Sequence, residues 1–187
     1  MVRIEDLAEK YGSHIAIPWQ RNLSGDQRTI FVVYPKADER QLRARLDAFE
    51  MATTRATHGW KLVDLTPAFA EWMASEDYRD EYFADPSALQ MSLEHGFTEH
   101  VAERIRTQLT ADDVDEESVV AVIGAGSLFG LTRLSLVLRQ IVDDVRGRLV
   151  VFFPGEYEDR NYRLLDARDG WNYLAVPITL HDGVSER

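Results

Sequence analysis

The chain has 187 residues, of which 45% are hydrophobic and 28% charged, the composition of a globular protein with one proper core. It contains no cysteine, so disulfides and thiolate chemistry are excluded and a reducing cytoplasm is favoured. The 32 acidic and 21 basic residues give a net charge of −11, which repels a nucleic-acid backbone. The acidic start MVRIEDLAEK is unlike a signal peptide. We expect a cytoplasmic protein that does not bind nucleic acid directly.

The first part of the chain predicts a helix, a strand and a second helix. Residues 1–28 are expected to form a helix and an extended arm whose placement stays open. The run TIFVVY, Thr29–Tyr34, predicts a buried strand that ends at Pro35. Apolar positions then recur at spacings of four, three and four, which predicts one helix over residues 38–57. These positions are Leu42, Leu46, Phe49 and Thr53.

The next segments predict a second strand and two more helices. The strand is WKLVDL, residues 60–65, and Thr66 with Pro67 supplies an N-cap and a first helical residue. A short helix over residues 68–74 follows. A longer helix is predicted to begin at Pro86, because apolar residues then recur every four positions. They are Leu89, Leu93, Phe97, Val101 and Ile105.

The last third of the chain predicts three more strands. Gly96 lies inside the long predicted helix and weakens that prediction. After it, a third strand is predicted at residues 118–123, a helix at 131–146 and a fourth strand at 149–153. The apolar piece WNYLAVPI, residues 171–178, predicts the fifth.

Strands separated by helices of this length favour right-handed crossovers and a mainly parallel sheet. The near-continuous apolar runs TIFVVY, VVAVI and LVVFF agree, because central parallel strands are covered on both faces. The predicted fold is a single α/β domain over residues 1–187. It has three layers, with a mainly parallel sheet of about five strands flanked by helices. It is Rossmann-like without a complete nucleotide-binding motif.

The glycine-rich segment VVAVIGAGSLFGLTRLSLVLRQI, residues 119–141, has three interpretations. A membrane span is disfavoured because glycines and hydroxyl residues dilute the apolar run. A Walker-type phosphate loop needs a lysine, and none follows Lys61. A dinucleotide fingerprint needs glycine at its first, third and sixth positions; Gly124 and Gly126 match, but Phe129 occupies the sixth. The favoured interpretation is a crowded turn at the carboxyl edge of a parallel sheet, where α/β folds place binding surfaces.

Two segments are therefore candidate interaction or structural loops. The first is the glycine turn, residues 124–130, and the second is a predicted turn at residues 154–157, directly after the fourth strand. We expect both at one edge of the sheet. The candidate residues are Gly124, Gly126, Ser127, Leu128, Phe129, Pro154, Gly155, Glu156 and Tyr157.

Catalytic and metal-binding groups are not evident. Carboxylates after the fourth strand could bind Mg²⁺ or act as an acid–base pair, but neighbouring arginines could equally neutralise them on an exposed loop. They are Glu156, Glu158, Asp159, Asp166 and Asp169. His95 and His100 are five residues apart, whereas helical metal pairs are three or four apart. We predict no catalytic residues, no metal and no cofactor; the alternative is a small nucleotide- or metal-dependent enzyme that uses residues 124–130 and Glu156.

Aromatic residues beside predicted loops have two interpretations. They could pack beneath the loops, which we favour, or form a protein interface, where aromatic side chains carry much of the affinity. They are Trp19, Tyr34, Phe129, Tyr157, Tyr162, Trp171 and Tyr173.

Three segments together resemble the BrxB family, the small component of BREX phage-defence systems. They span residues 31–66, 123–141 and 148–178, so that the resemblance covers most of the chain. Its most specific part is the GSLF turn followed later by FFPGEY. Gly130 stands where the resemblance leads us to expect proline, which we expect to change the stiffness of the turn but not its path.

The resemblance implies a non-enzymatic α/β protein of a bacterial or archaeal cytoplasm. Its relatives are encoded beside PglZ, an alkaline-phosphatase-like protein, and are thought to bind it. The resemblance also implies a link to the large ATPase of the system. The expected function is that of an adaptor in a BREX assembly, with no membrane partner.

Overall fold

A parallel β-sheet forms the centre of the protein. A computed structural model describes residues 2–167 and 170–180. The strands are β1 Thr29–Tyr34, β2 Gly59–Asp64, β3 Ser118–Ile123, β4 Arg148–Glu158, β5 Asn161–Leu164, β6 Trp171–Asn172 and β7 Val176–Ile178. Strands β2, β3, β4, β1 and β7 lie side by side in that order, and each neighbouring pair is parallel. The predicted sheet of about five mainly parallel strands is confirmed.

Helices cover both faces of this sheet and give the predicted three layers. They are α1 Val2–Ile15, α2 Glu39–Ala44, α3 Leu46–Arg55, α4 Ala68–Ser75, α5 Arg79–Ala84, α6 Leu89–Ser92, α7 Thr98–Leu109 and α8 Leu134–Ile141. One face of the sheet shares an apolar core with α1, α2 and α3, and the other shares a core with α4, α7 and α8. Among these helices of the described residues, none has the length and apolar character needed to cross a membrane.

The central strands are buried because successive side chains alternate between the two helical layers. In β1, Phe31 and Val33 belong to the core with α4, α7 and α8, whereas Ile30 and Val32 belong to the other core. All six residues of β1 and all six of β3 are buried, as expected for strands covered on both sides. The bounds of both strands match the sequence prediction.

The helix predicted over residues 38–57 is broken in the middle. Arg45 has φ −124° and ψ 16°, which ends α2 before α3 begins. A short 3₁₀ turn, Lys36–Asp38, precedes α2. Leu42 in α2 and Phe49 in α3 are both fully buried against the sheet, so the break preserves the apolar face that the spacing predicted.

The long helix predicted from Pro86 contains a π turn, Leu93–Phe97, between α6 and α7. Residues spaced by four drift around an ideal α-helix by about 40° at each step, because the helix repeats every 3.6 residues. A π turn takes up an extra residue and corrects part of this drift. Gly96 lies in the π turn, where a Cβ atom would be 3.5 Å from Cζ2 of the buried Trp72.

The predicted turn at residues 154–157 is wrong. Strand β4 runs through Pro154 to Glu158, and its second half pairs with β5 as an antiparallel hairpin. Pro154 has no N–H, and it lies opposite Tyr34 at the last residue of the parallel pairing with β1. The proline therefore ends one ladder while the strand continues into another. The carbonyl of Pro154 accepts a hydrogen bond from the N–H of Leu165 at 2.8 Å.

Other boundaries also differ from the sequence prediction. The predicted fifth strand is two strands: β6 extends the hairpin by pairing with β5, and β7 joins the central sheet beside β1. The helix predicted at residues 131–146 is the shorter α8, followed by a 3₁₀ turn, Val142–Asp144. Thr66 does not cap α4, because Pro67 occupies the N-cap position.

The N-terminal helix and arm now have a defined position. Helix α1 packs beside α3 on the same face of the sheet, and the Tyr11 hydroxyl lies 2.6 Å from Oγ1 of Thr53. In the arm, the ring of Trp19 stacks on His58 at 3.7 Å between centroids. The guanidinium of Arg148 covers Trp19 at 4.6 Å from its centroid. These contacts hold the arm against the amino edge of the sheet.

Candidate functional site

The glycine turn follows β3 at the carboxyl edge of the sheet. Gly124 has φ +79°, and residues Ala125–Leu128 form a 3₁₀ turn. The side chains of Ala125 and Leu128 are fully buried. The Ser127 hydroxyl lies 2.6 Å from the carbonyl oxygen of Gly124 and 3.1 Å from that of Leu65, and it can donate to either. The turn is thus anchored from below by packing and hydrogen bonding.

Gly124 lies in direct contact with the end of β2. A Cβ atom on Gly124 would be 2.7 Å from both the backbone nitrogen and Oγ1 of Thr66, and 2.9 Å from Oδ1 of Asp64. Real side chains do not approach so closely, and the left-handed φ is a second reason for glycine at this position. The first glycine of the turn is therefore required by close approach between two strand ends.

A polar network joins the ends of β1 and β2 beneath this turn. Nη1 of Arg43 donates to Oδ2 of Asp64 at 3.2 Å, and Nη2 donates to Oγ1 of Thr66 at 2.7 Å. Nε of Arg43 donates to Oε1 of Glu39 at 2.7 Å, and the hydroxyl of Tyr34 donates to Oε2 of the same carboxylate. The Arg43 guanidinium thus bridges the carboxylates of Glu39 and Asp64.

Two side chains of this network, Asp64 and Tyr34, have pKa values displaced from their ordinary range. Burial alone would raise the pKa of Asp64, but hydrogen bonds from Thr66 and Arg43 outweigh it and hold that pKa below its ordinary value. Burial, with the hydrogen bond to Glu39, raises the pKa of Tyr34 well above its ordinary value. Near neutral pH, Asp64 is therefore ionised and Tyr34 protonated.

The two candidate segments meet at this edge. A Cβ atom on Gly126 would lie 3.3 Å from Cγ of Pro154, so the glycine turn rests on the point where β4 leaves the parallel sheet. A Cβ atom on Gly155 would lie 2.0 Å from the carbonyl oxygen of Arg163, which excludes any side chain there. Pro154 is buried, and Gly155 lies in the β4–β5 ladder. These two positions are structural.

Phe129 is the exposed apolar side chain of the turn, beside the exposed Gly130. Its side chain is 48% exposed, directly after the buried Leu128. The next residue, Gly130, has φ +78° and no atom within 4 Å of the position of a Cβ. Proline is restricted to φ near −65°, so it cannot adopt this conformation. The expectation that glycine in place of proline leaves the path of the turn unchanged is therefore wrong at Gly130 itself.

Most of the candidate aromatic residues pack within the fold. Tyr34 and Tyr162 are buried, and Tyr157 contacts Tyr162 with ring centroids 4.6 Å apart. Phe31 lies at the centre of an aromatic cluster that the β4–β5–β6 hairpin completes. Its ring neighbours are Phe153, Tyr162, Trp171 and Tyr173. Of the seven aromatic candidates, Phe129 alone is exposed.

Glu156 lies on the exposed side of the β-hairpin. Its carboxylate pairs with Nη1 of Arg163 at 3.4 Å, and its side chain is 60% exposed. The residues that the structure describes contain no group of three or more His, Asp and Glu side chains able to hold a metal ion. Of the other predicted carboxylates, Asp166 pairs with Lys36, and Asp169 lies outside the described residues.

A groove of about 1200 Å³ opens beside this edge, between α1 and the extension of β4. Tyr34, Pro35 and residues 155–158 form part of its wall. Its charged side chains are of mixed sign: Arg3 and Lys10 are basic, and Asp6, Glu9, Glu156 and Glu158 are acidic. The lining therefore selects for neither an anion nor a cation.

Sequence reasoning did not find the network of Tyr34, Glu39, Arg43, Asp64 and Thr66. A usable signal was present: Tyr34 and Asp64 are the polar final residues of two strands, and such positions meet at one edge of a parallel sheet. Arg43 and Glu39 are four apart on a helix, the spacing of an ion pair. The sequence could not show that one guanidinium joins them all.

The fold and this edge define a class: a parallel α/β protein whose carboxyl edge carries a polar network, an open groove and a turn with an exposed phenylalanine. The BrxB family model, described as BREX protein BrxB, matches residues 63–178, which is more than half of the chain. The chain therefore belongs to the BrxB family and is a component of a BREX phage-defence system. No curated protein and no solved structure matches the chain.

Proposed function

We propose that the protein is a non-enzymatic adaptor of the BREX assembly, acting in the cytoplasm. Its first partner is the PglZ-like protein encoded in the same operon, and the large BREX ATPase is the second candidate partner. The contact surface is the carboxyl edge of the sheet around the glycine turn. Membership of the BrxB family supports an operon-encoded partner in general.

The observation that carries this proposal is the exposure of Phe129. The turn around it is anchored by buried residues and by the hydroxyl of Ser127, so the backbone that carries the ring is held in place. An aromatic side chain has few rotatable bonds and loses little freedom on binding, and aromatic residues are frequent among the energetic centres of protein interfaces. Phe129, which is 48% exposed, is therefore suited to act as an anchor that enters a pocket of a partner.

The geometry of the turn also supports a role without catalysis. In nucleotide-binding α/β folds the glycine-rich turn opens directly into a helix, whose N-terminus holds the phosphates. Here α8 begins only at Leu134, ten residues after Gly124. The side chains of the 124–130 turn carry no ionisable group. These features disfavour the alternative of an enzyme that uses residues 124–130 and Glu156.

The test is size-exclusion chromatography with light scattering of the protein mixed with the PglZ-like protein, and then with the ATPase. The expected result is a joint peak with the summed mass. Phe129→Ala should weaken the complex at least about tenfold, the effect of losing one interface anchor. Met51→Ala is the matched control, because Met51 is 47% exposed and lies on α3.

Tyr157→Ala is a less direct variant, because Tyr157 packs on Tyr162 and its loss also disturbs the hairpin. Equal binding by wild type, Phe129→Ala and Met51→Ala would remove the glycine turn as the contact surface. Separate peaks for wild type with both partners at micromolar concentration would contradict the adaptor function itself.

A further inference from the structure

A helical hairpin between α4 and the π turn contributes almost nothing to the core. We define the α5–α6 hairpin as residues 76–92, which include α5, a 3₁₀ turn and α6. No residue from 74 to 92 is buried, and within the hairpin the side chains packed against the core are Tyr82 and Leu89. A segment that buries so little is held in place by few contacts, while most of its surface faces outward.

Large apolar side chains lie on this outward surface. Tyr78 is 64% exposed, Phe83 69% and Met91 77%. The hydroxyls of Tyr82 and Ser92 lie 2.8 Å apart and join α5 to α6. The backbones of their chain neighbours Phe83 and Met91 therefore lie close together. Exposed apolar side chains are normal one at a time, whereas three large ones within the short segment 78–91 indicate a contact surface.

Acidic residues surround these apolar side chains. Residues 76–85 contain five acidic residues and one arginine, a formal charge of −4 within ten residues of a chain whose total is −11. Within the described residues, Glu76, Asp77 and Glu81 form no ion pair. This charge is therefore not neutralised inside the fold, and it acts on whatever approaches the hairpin.

We propose that the α5–α6 hairpin is a second docking surface, for a protein partner that presents an apolar groove with Lys and Arg at its rim. Phe83 and Met91 enter the groove, and the carboxylates of Asp77 and Glu81 face the basic rim. This inference rests on the proposed function, because the partner is taken to be another component of the assembly. The surface is separate in sequence from the Phe129 turn.

Charge complementarity selects this kind of partner. An acidic surface is attracted to a basic rim at long range, which raises the association rate and orients the encounter. The same acidic surface is repelled by nucleic-acid phosphates and by anionic lipid headgroups. The apolar side chains then give short-range affinity once water leaves the contact. A basic, groove-bearing protein satisfies both observations.

The experiment measures binding by isothermal titration calorimetry to each purified BREX protein of the same operon in turn. Phe83→Ser with Met91→Ser removes the apolar contact, and Asp77→Lys with Glu81→Lys reverses the charge. Ile17→Ser with Met51→Ser is the matched control, because both side chains are exposed, at 59% and 47%, outside the hairpin. Circular dichroism verifies that every variant is folded. If the serine variant does not fold, the charge-reversed variant tests the proposal alone.

The expected result is that one component binds wild type and loses at least about tenfold in affinity with either hairpin variant, while the control binds as wild type. Raising the ionic strength from about 0.1 to 0.5 M should weaken wild type more than the charge-reversed variant, because salt screens surface charges. Undiminished binding by both hairpin variants overturns this inference and leaves the adaptor function intact. Failure of wild type to bind any component overturns both.

Discussion

Gly124 and Thr66 are in closer contact than any side chain would allow, since a Cβ on Gly124 would lie 2.7 Å from the Thr66 nitrogen. Gly130 has nearly the same φ, +78° against +79°, but has open space around it. These two of the three glycines in the turn therefore separate the cost of a left-handed conformation from the cost of a steric contact. At position 130 glycine is needed only for the left-handed backbone conformation. At position 124 it is needed for that conformation and for the close contact with Thr66.

We predict that Gly130→Ala destabilises the protein by about 1–2 kcal/mol, the cost of a left-handed conformation for an L-residue. Gly124→Ala should cost more, by at least about 2 kcal/mol beyond that, because backbone atoms must move. Chemical denaturation of both variants measures the difference. Equal destabilisation would show that the contact with Thr66 can be relieved without cost.

Adjacent residues of the turn should behave in opposite ways. Leu128 is fully buried and Phe129 is 48% exposed. Leu128→Ala should lower the free energy of unfolding by about 2–5 kcal/mol, because it leaves a cavity in the core. Phe129→Ala should change it by less than about 0.5 kcal/mol, as surface substitutions do. Thermal or urea unfolding measures both; a large loss in Phe129→Ala would mean that the ring serves packing rather than binding.

Asp64 should contribute to stability in a pH-dependent way. Its folded-state pKa lies below the unfolded value, so the unfolded chain binds the proton more readily. The stabilisation is thus complete above the unfolded pKa of about 4 and is lost as pH falls through the folded value. Asp64→Asn should therefore be less stable than wild type near neutral pH, by roughly 1 kcal/mol because solvent screens a side chain that is 40% exposed.

The check is urea denaturation of wild type and Asp64→Asn from neutral pH into the acid range. The difference in stability between them should shrink as the pH falls below about 4. Thr54→Val is a suitable control for the loss of an exposed hydrogen bond without a change of charge. A difference that stays constant with pH would show that ionisation of Asp64 does not stabilise the network.

Small ligands should not stabilise the protein. A ligand at a hundred times its dissociation constant raises stability by about 2.7 kcal/mol, which a thermal-shift assay detects readily. We expect no shift with NAD, NADP, ATP, Mg²⁺ or Mn²⁺. A clear shift with any of them, reduced in Glu156→Gln, would favour the alternative of a small enzyme over the adaptor.

The strands that the sequence predicted best are those whose burial is uniform. Thr29–Tyr34 and residues 118–123 are buried throughout and, after a first Thr or Ser, carry large or β-branched side chains almost without interruption because both faces are covered, so pattern and boundary coincide. The path after Phe153 was mispredicted because Pro-Gly is locally a turn signal. Only the sheet shows that the missing N–H of Pro154 falls where the pairing with β1 ends.

The candidate site was predicted in part. The crowding of Gly124 follows from its place after a central strand, and that much could be inferred. The network around Arg43 could not be inferred from the sequence. Its partners Asp64 and Thr66 lie about twenty residues away along the chain and reach Arg43 only when β2 has its place in the sheet. Likewise, the partial burial of Tyr157 depends on the β5 register that brings Tyr162 beside it.

The strand order has a consequence for synthesis of the chain. The neighbours of β1 are β4 and β7, and Thr29 pairs in register with Leu149, 120 positions later (149 − 29). An early apolar strand therefore emerges from the ribosome with both edges unpaired and stays so until most of the chain has been made. Such long-range pairing slows folding and leaves an edge that can join other chains. We expect nascent or truncated chains that end before β4 to aggregate or to need a chaperone.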